Sequence, residues 1–168
     1  NIKLPDQDKN SGGYNALRIY QQLLAIKLKS RNTLDELADA DLKRIQYVRE
    51  HYYNKEENDP LFFEALKRIR SEYVKCNTAS VISYKFAYYL YEHTEGKNRE
   101  EIAETIKSVL AICNETINNY PGSEGAKNCA VLKETFFYKN LSFTTEQTVV
   151  PDQPFKALLS YKNITRVY

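Results

Sequence analysis

Two histidines, His51 and His93, are the residues best suited to moving protons near neutral pH. Neither has a Cys, Ser or carboxylate partner at a motif spacing. His51 stands beside Tyr52 and Tyr53 and reads as a rim residue. His93 falls near the C-terminus of a predicted helix, where the helix dipole favours a cation. Catalysis by either ring is an alternative reading, and it needs a nucleophile or carboxylate within hydrogen-bond reach. Cys76, Cys113 and Cys129 fall on separate segments without a Cys-x-x-Cys spacing, so they make a poor zinc set. Cys113 and Cys129 lie on apolar stripes and read as small buried hydrophobes, with a disulfide as the alternative. Asp6-Gln7-Asp8-Lys9-Asn10 has the carboxylate rhythm of a calcium loop. Its sixth position is Ser11 instead of Gly and its twelfth is Leu17 instead of Glu, so it reads as a solvated lead-in. No glycine-rich phosphate loop follows a strand, and no Gly-x-Ser-x-Gly occurs. Three triplets, starting at Asn114, Asn140 and Asn163, match the glycosylation pattern, the first inside a predicted helix. These residues assign no catalytic, cofactor-binding or metal site.

The best binding candidate is aromatic. Tyr84, Tyr88 and Tyr91 form one stripe of a predicted helix and are the candidate partner-binding residues, able to line a groove for a peptide or protein. The plainer reading packs them between helices with their hydroxyls reaching the surface.

The elements that must position these residues are helical from about 14 to 138 and extended afterwards. A first helix over about 14–30 carries Leu17, Tyr20, Leu24 and Leu28 at helical spacing. A second, about 33–54, opens after Thr33 and aligns Leu37, Ala38, Leu42, Ile45, Val48 and Tyr52. Asp59 is the expected cap and Pro60 the expected first turn of a third, about 60–75. The fourth, about 78–94, is apolar on two sides, through Ala79, Ile82, Phe86, Tyr89 and Leu90 and through Val81 and the three tyrosines. It is therefore expected at the centre, with Gly96 as its stop. Asn98 to Glu101 resembles a capping box opening a fifth helix, about 99–119. Pro121-Gly122 ends that helix, and Ser123 caps a sixth to about Tyr138. From Leu141 the period becomes two, which predicts strands either side of the turn cluster Pro151-Asp152-Gln153-Pro154.

Composition narrows the class. With 24 Lys+Arg against 22 Asp+Glu the net charge is only +2, without the basic excess of a dedicated nucleic-acid binder. Mean hydropathy is −0.60 and no apolar run approaches a membrane span. The chain has no Met, which fits an excised piece of a longer protein.

Tyr120-Pro121-Gly122-Ser123-Glu124-Gly125-Ala126 resembles the break between helix pairs in tetratricopeptide proteins. Tyr73 and Ala79 echo it 47 residues earlier, too long for the usual 34-residue repeat. Read in order, Asp41–Val48, Leu61–Leu66, the Tyr-Pro-Gly-Ser turn, Gly125–Cys129 and Val150–Asn163 resemble the N-terminal region of bacterial alpha-2-macroglobulin family proteins of the Bacteroides type. The resemblance covers about residues 33–168. It implies a helical segment leading into the first macroglobulin-like β-domain. It also implies a periplasmic or outer-envelope location, often lipid-anchored in the full-length protein, in a family that traps proteases through a cleaved bait segment. Some members carry a Cys-x-Glu-Gln thioester. Here Glu146-Gln147 follows Thr144-Thr145, so that Cys is absent.

The expectation is thus a mainly α fold: an antiparallel helical-hairpin, tetratricopeptide-like stack of about six helices followed by a short C-terminal β segment. Residues 1–13 read as an irregular lead-in, 14–139 as the helical domain and 140–168 as the truncated start of a β-sandwich-type domain. The expected role is a non-catalytic scaffold or interaction module without cofactors. Its partners would be proteins or peptides, including other domains of the same polypeptide. Neither nucleic acid nor a membrane span in this chain is expected. The alternative is a stand-alone tetratricopeptide-like peptide-binding adaptor.

Overall fold

Capping side chains mark the starts of most of the helices. The computed structural model describes residues 11–29, 34–51, 54–145, 148, 154–164 and 166. The calcium-like run 6–10, Thr33, Tyr52, Tyr53, Glu146-Gln147 and most of the turn cluster at 151–154 lie outside those residues. Helix α1 (Gly12–Lys29) opens on Ser11, whose Oγ accepts from the Tyr14 amide at 3.1 Å. It starts two residues earlier than its periodicity predicts. Leu28, expected on the apolar stripe, is exposed.

Helix α2 (Leu34–His51) buries Ala38, Leu42 and Ile45 as predicted. The third boundary differs from expectation. Helix α3 (Lys55–Glu72) is capped by Asn54, whose side chain accepts from Glu57, so Pro60 sits inside the helix. Asp59 does not cap it; its carboxylate is drawn to Arg49 instead, at 3.0 Å. Asn58, buried in the first turn and a half, donates to the carbonyls of Val48 and Arg49 at 3.3 and 3.2 Å. Both carbonyls lie in the last turn of α2, so one amide ties the end of one helix to the start of the next.

Helix α4 (Thr78–Glu92) gets its cap from another helix. Asn77 makes no side-chain capping bond. Asp35 of α2 does the work: its Oδ1 accepts from the Thr78 amide at 2.7 Å and from Thr78 Oγ1 at 3.0 Å. Helix α5 (Arg99–Asn119) has the complete capping box between Asn98 and Glu101. Gly122, with φ +79°, turns the chain into α6 (Glu124–Phe137), where Ser123 Oγ accepts from Ala126 at 3.2 Å.

Each helix from α1 to α4 packs on the next, α4 packs on α5, and α2 also touches α4. That skip-one contact is what stacked helix hairpins produce. The core is Ala38, Leu42 and Ile45 of α2 and Phe62, Leu66 and Ile69 of α3, closed by Ala79, Ile82, Phe86 and Tyr89 of α4. Phe63 stacks on Phe86 and Tyr89 at 5.2 and 5.0 Å. One carboxylate is buried in this core. Asp41 accepts from Arg44 at 2.6 Å, from Arg68 at 3.4 Å and from the Tyr73 hydroxyl at 3.4 Å. Burial and the neighbouring Asp41 charge push the Tyr73 hydroxyl up to about 12. The start of α6 lies hard against α4: a Cβ on Gly125 would stand 2.1 Å from the Ser80 carbonyl. All three cysteines are buried and free.

The chain divides into two units, 1–130 and 131–168, with the division inside α6. The second holds strands β1 (Asn140–Thr145) and β2 (Ala157–Lys162), paired antiparallel with Leu141 opposite Tyr161 and Phe143 opposite Leu159. Asn163, at φ +56°, donates to the carbonyls of Phe136 and Tyr138 at 2.6 and 3.0 Å and fastens β2 to the end of α6. The fold is mainly helical with a short antiparallel β segment at its C-terminal end, as the sequence periods predict. Among the described residues, no helix is long and apolar enough to cross a membrane.

Candidate functional site

The main concave surface lies between α2 and α4. A hollow of about 560 Å³ is lined by Gln46, Arg49, Asp59, Lys85, Tyr88 and Glu92 among others. A second, of about 770 Å³, runs toward the start of α6 and is lined by Asp39, Lys43, Thr78, Val81, Ser123 and Glu124 among others. Gln46 and Lys85 line both, so the two hollows meet at those side chains. The stacking of alternate helices makes this surface: α2 and α4 lie side by side, and their outward residues form its walls.

The three candidate tyrosines form a ladder on α4, with Tyr84 to Tyr88 at 5.9 Å and Tyr88 to Tyr91 at 6.4 Å between ring centres. Tyr88 is exposed and lines the first hollow. Tyr84 and Tyr91 are half-buried and line neither hollow. Burial raises the Tyr84 hydroxyl, with Tyr88 adding to it. The negative charge of Glu92 is the first cause raising Tyr88.

One wall of the groove is a charged network that the sequence pattern does not reveal. Asp59 Oδ1 accepts from Arg49 at 3.0 Å, and its Oδ2 faces His93 Nε2 at 3.4 Å. Arg49 lies over the Phe62 and Tyr89 rings at 4.7 and 5.3 Å. Burial alone would raise the Asp59 carboxyl. Hydrogen bonds and charge from Arg49 and His93 outweigh it and hold the group below the ordinary carboxylate value. The Tyr89 hydroxyl donates to the Asp59 carbonyl at 3.1 Å, so the network also joins α4 to α3.

Both histidines are engaged. His51 Nδ1 bonds the Tyr47 carbonyl at 2.9 Å and its ring stacks on Tyr47 at 4.0 Å. His93 Nδ1 bonds the Tyr89 carbonyl at 2.8 Å and its ring stacks on Tyr89 at 3.9 Å. The fold therefore gives His93 a carboxylate neighbour, Asp59, 34 residues away in sequence. Among the described residues, neither ring bonds a Ser, Thr or Cys side chain. Nor do three or more His, Cys, Asp or Glu side chains converge as metal ligands do.

No protein-family model, curated protein or solved structure matches this chain.

Proposed function

We propose that this chain is a non-catalytic helical scaffold and protein-interaction module, and that its hairpin joins a further β layer of the same polypeptide. The observation that carries this is the uncovered apolar face of β1 and β2. Leu141, Phe143, Leu159 and Tyr161 share one face of the two-stranded sheet through their cross-strand pairing. Phe143 is 65% and Tyr161 64% exposed. A lone two-stranded hairpin is marginal in water and becomes stable when another layer covers its apolar face. Two strands of six residues offer roughly 20 × 10 Å of face. That is well below the ~800 Å² per partner of a stable association. A separate protein would be held poorly by this face alone, whereas a tethered β layer binds at high effective concentration.

The resemblance to bacterial alpha-2-macroglobulin proteins supports the same reading, since there a helical segment precedes the first macroglobulin-like β-domain. It would place the chain in the cell envelope, with other domains of its own polypeptide as first partners. A chain extended by the sequence that follows Tyr168 in its gene tests this by amide hydrogen exchange. Leu141, Phe143, Leu159 and Tyr161 should exchange far more slowly in the extended chain. Equal exchange in the two chains refutes the proposal. A second reading, a tetratricopeptide-like peptide-binding adaptor, is favoured by the groove between α2 and α4, with Tyr88 on its wall.

A further inference from the structure

We propose that the groove between α2 and α4 binds an extended peptide segment through a single carboxylate, received by Lys85, with the Tyr88 ring packing beside it. Three cationic side chains line the groove, and two are already neutralised. Lys43 pairs with Asp39 at 2.8 Å, and Arg49 pairs with Asp59 at 3.0 Å. Lys85 is half-buried and has no anionic partner among the described residues. Its stem is partly covered while no buried side-chain nitrogen among the described residues lacks a partner, so the ammonium stays open to water and to an incoming anion.

Position supports the assignment. Lys85 and Gln46 stand where the two hollows meet, at the middle of the groove. Tyr88 is one turn further along the same helix and offers an exposed ring. Helix α4 has 15 residues, so it is about 22 Å long. An extended peptide of six or seven residues, at ~3.3 Å each, spans that length.

The ends of the groove restrict the ligand further. Glu50 lines one hollow and Glu124 the other, neither with a cationic partner among the described residues, whereas Glu92 and Asp39 face Arg49 and Lys43. A polyanion would meet repulsion at both ends, which disfavours nucleic acid. The matching segment carries one carboxylate flanked by neutral or basic residues. This inference goes beyond the scaffold reading and is independent of the hairpin, because the groove is built from residues 39–124.

Arrays of immobilised octapeptides test it. One array fixes Glu at the centre with N- and C-termini blocked. A matched array carries Gln there. A third has a neutral sequence ending in a free carboxylate. The labelled 168-residue chain should bind the Glu array at least five-fold more strongly than the Gln array. A stronger signal on the third array assigns the carboxylate to a chain end instead of a side chain. Lys85→Gln should abolish the preference for the carboxylate while leaving thermal unfolding unchanged, and Lys85→Arg should retain it. Tyr88→Ala should weaken both blocked arrays alike. Equal binding of Glu and Gln by the native chain overturns the proposal. So does a preference that survives Lys85→Gln, or no binding to any array.

Discussion

Replacing Gly125 by Ala should destabilise this protein, although the same change in an open helix would stabilise it. Gly in a helix interior costs roughly 0.5–1 kcal/mol relative to Ala, so propensity alone predicts a gain of that size. The structure opposes it. The new Cβ would stand 2.1 Å from both the carbonyl carbon and oxygen of Ser80 and 2.5 Å from the Val81 nitrogen. All three are main-chain atoms, and no rotamer change can clear them. To restore ordinary contact the start of α6 must retreat from α4 by roughly 1.5 Å. Buried Ala126 and Cys129 on the same helix would then lose contacts. Overpacking of this kind typically costs about 1–3 kcal/mol, and a rigid neighbour puts Gly125 at the upper end. After the propensity gain the net loss should be about 2 kcal/mol. Urea titration followed by far-ultraviolet circular dichroism reads this as a midpoint lowered by about 1 M, at a slope near 2 kcal/mol/M. Gly12→Ala is the control, because nothing lies within 4 Å of a Cβ there. It should be neutral or slightly stabilising. A Gly125→Ala variant as stable as the native chain would refute the close approach of α6 to α4.

Two further outcomes follow from the polar contacts. Asp35→Ala removes the acceptor for the Thr78 amide and hydroxyl, so it should cost about 1–2 kcal/mol, the range of a lost helix cap. Thermal unfolding checks this, and Asp35→Asn, which keeps an acceptor, should recover part of the loss. Asp59→Asn should destabilise the fold at neutral pH, and its deficit should shrink on acidification. The sign follows from the lowered carboxyl of Asp59. Its stabilisation is present above the ordinary carboxylate value, near pH 4, and is lost as pH falls through the lower folded value. Urea midpoints of the two proteins between pH 7 and pH 2 measure it. A deficit that does not shrink would show that Asp59 acts through shape instead of charge.

The fold was largely legible because its signals are local. Period 3.6 over Leu37 to Val48 and Ile102 to Tyr120, and period two from Leu141, mark helices and strands without tertiary information. The capping box at Asn98 could be read for the same reason, since both of its hydrogen bonds span three residues. The errors occur where a long-range partner outbids a local one. Asp59 before Pro60 has the form of a helix start. In the fold Arg49 and His93 claim its carboxylate, and Asn54 takes the cap five residues earlier. The cap of α4 has no local signal at all, because Asp35, 43 residues from Thr78, supplies the bond.

The groove was legible only in part, for a related reason. The tyrosine stripe marks α4 as a helix with a second face, but periodicity cannot say which ring faces the groove. Neighbours decide it. Tyr84 is half-buried, and burial is what raises its hydroxyl. Tyr88, one turn further along, faces the first hollow with Lys85 and Glu92. Lys85 itself carries no sequence signal, since a lysine between Tyr84 and Phe86 reads as an ordinary solvated residue. Its distinction is relative. The other two groove cations have anions: Lys43 pairs with Asp39 one turn back on its own helix, but Arg49 gains Asp59 only once α2 and α3 pack. The proposed binding residue, Lys85, is the groove cation left without an anion among the described residues, so it emerges from the ion pairs of the fold and not from any motif.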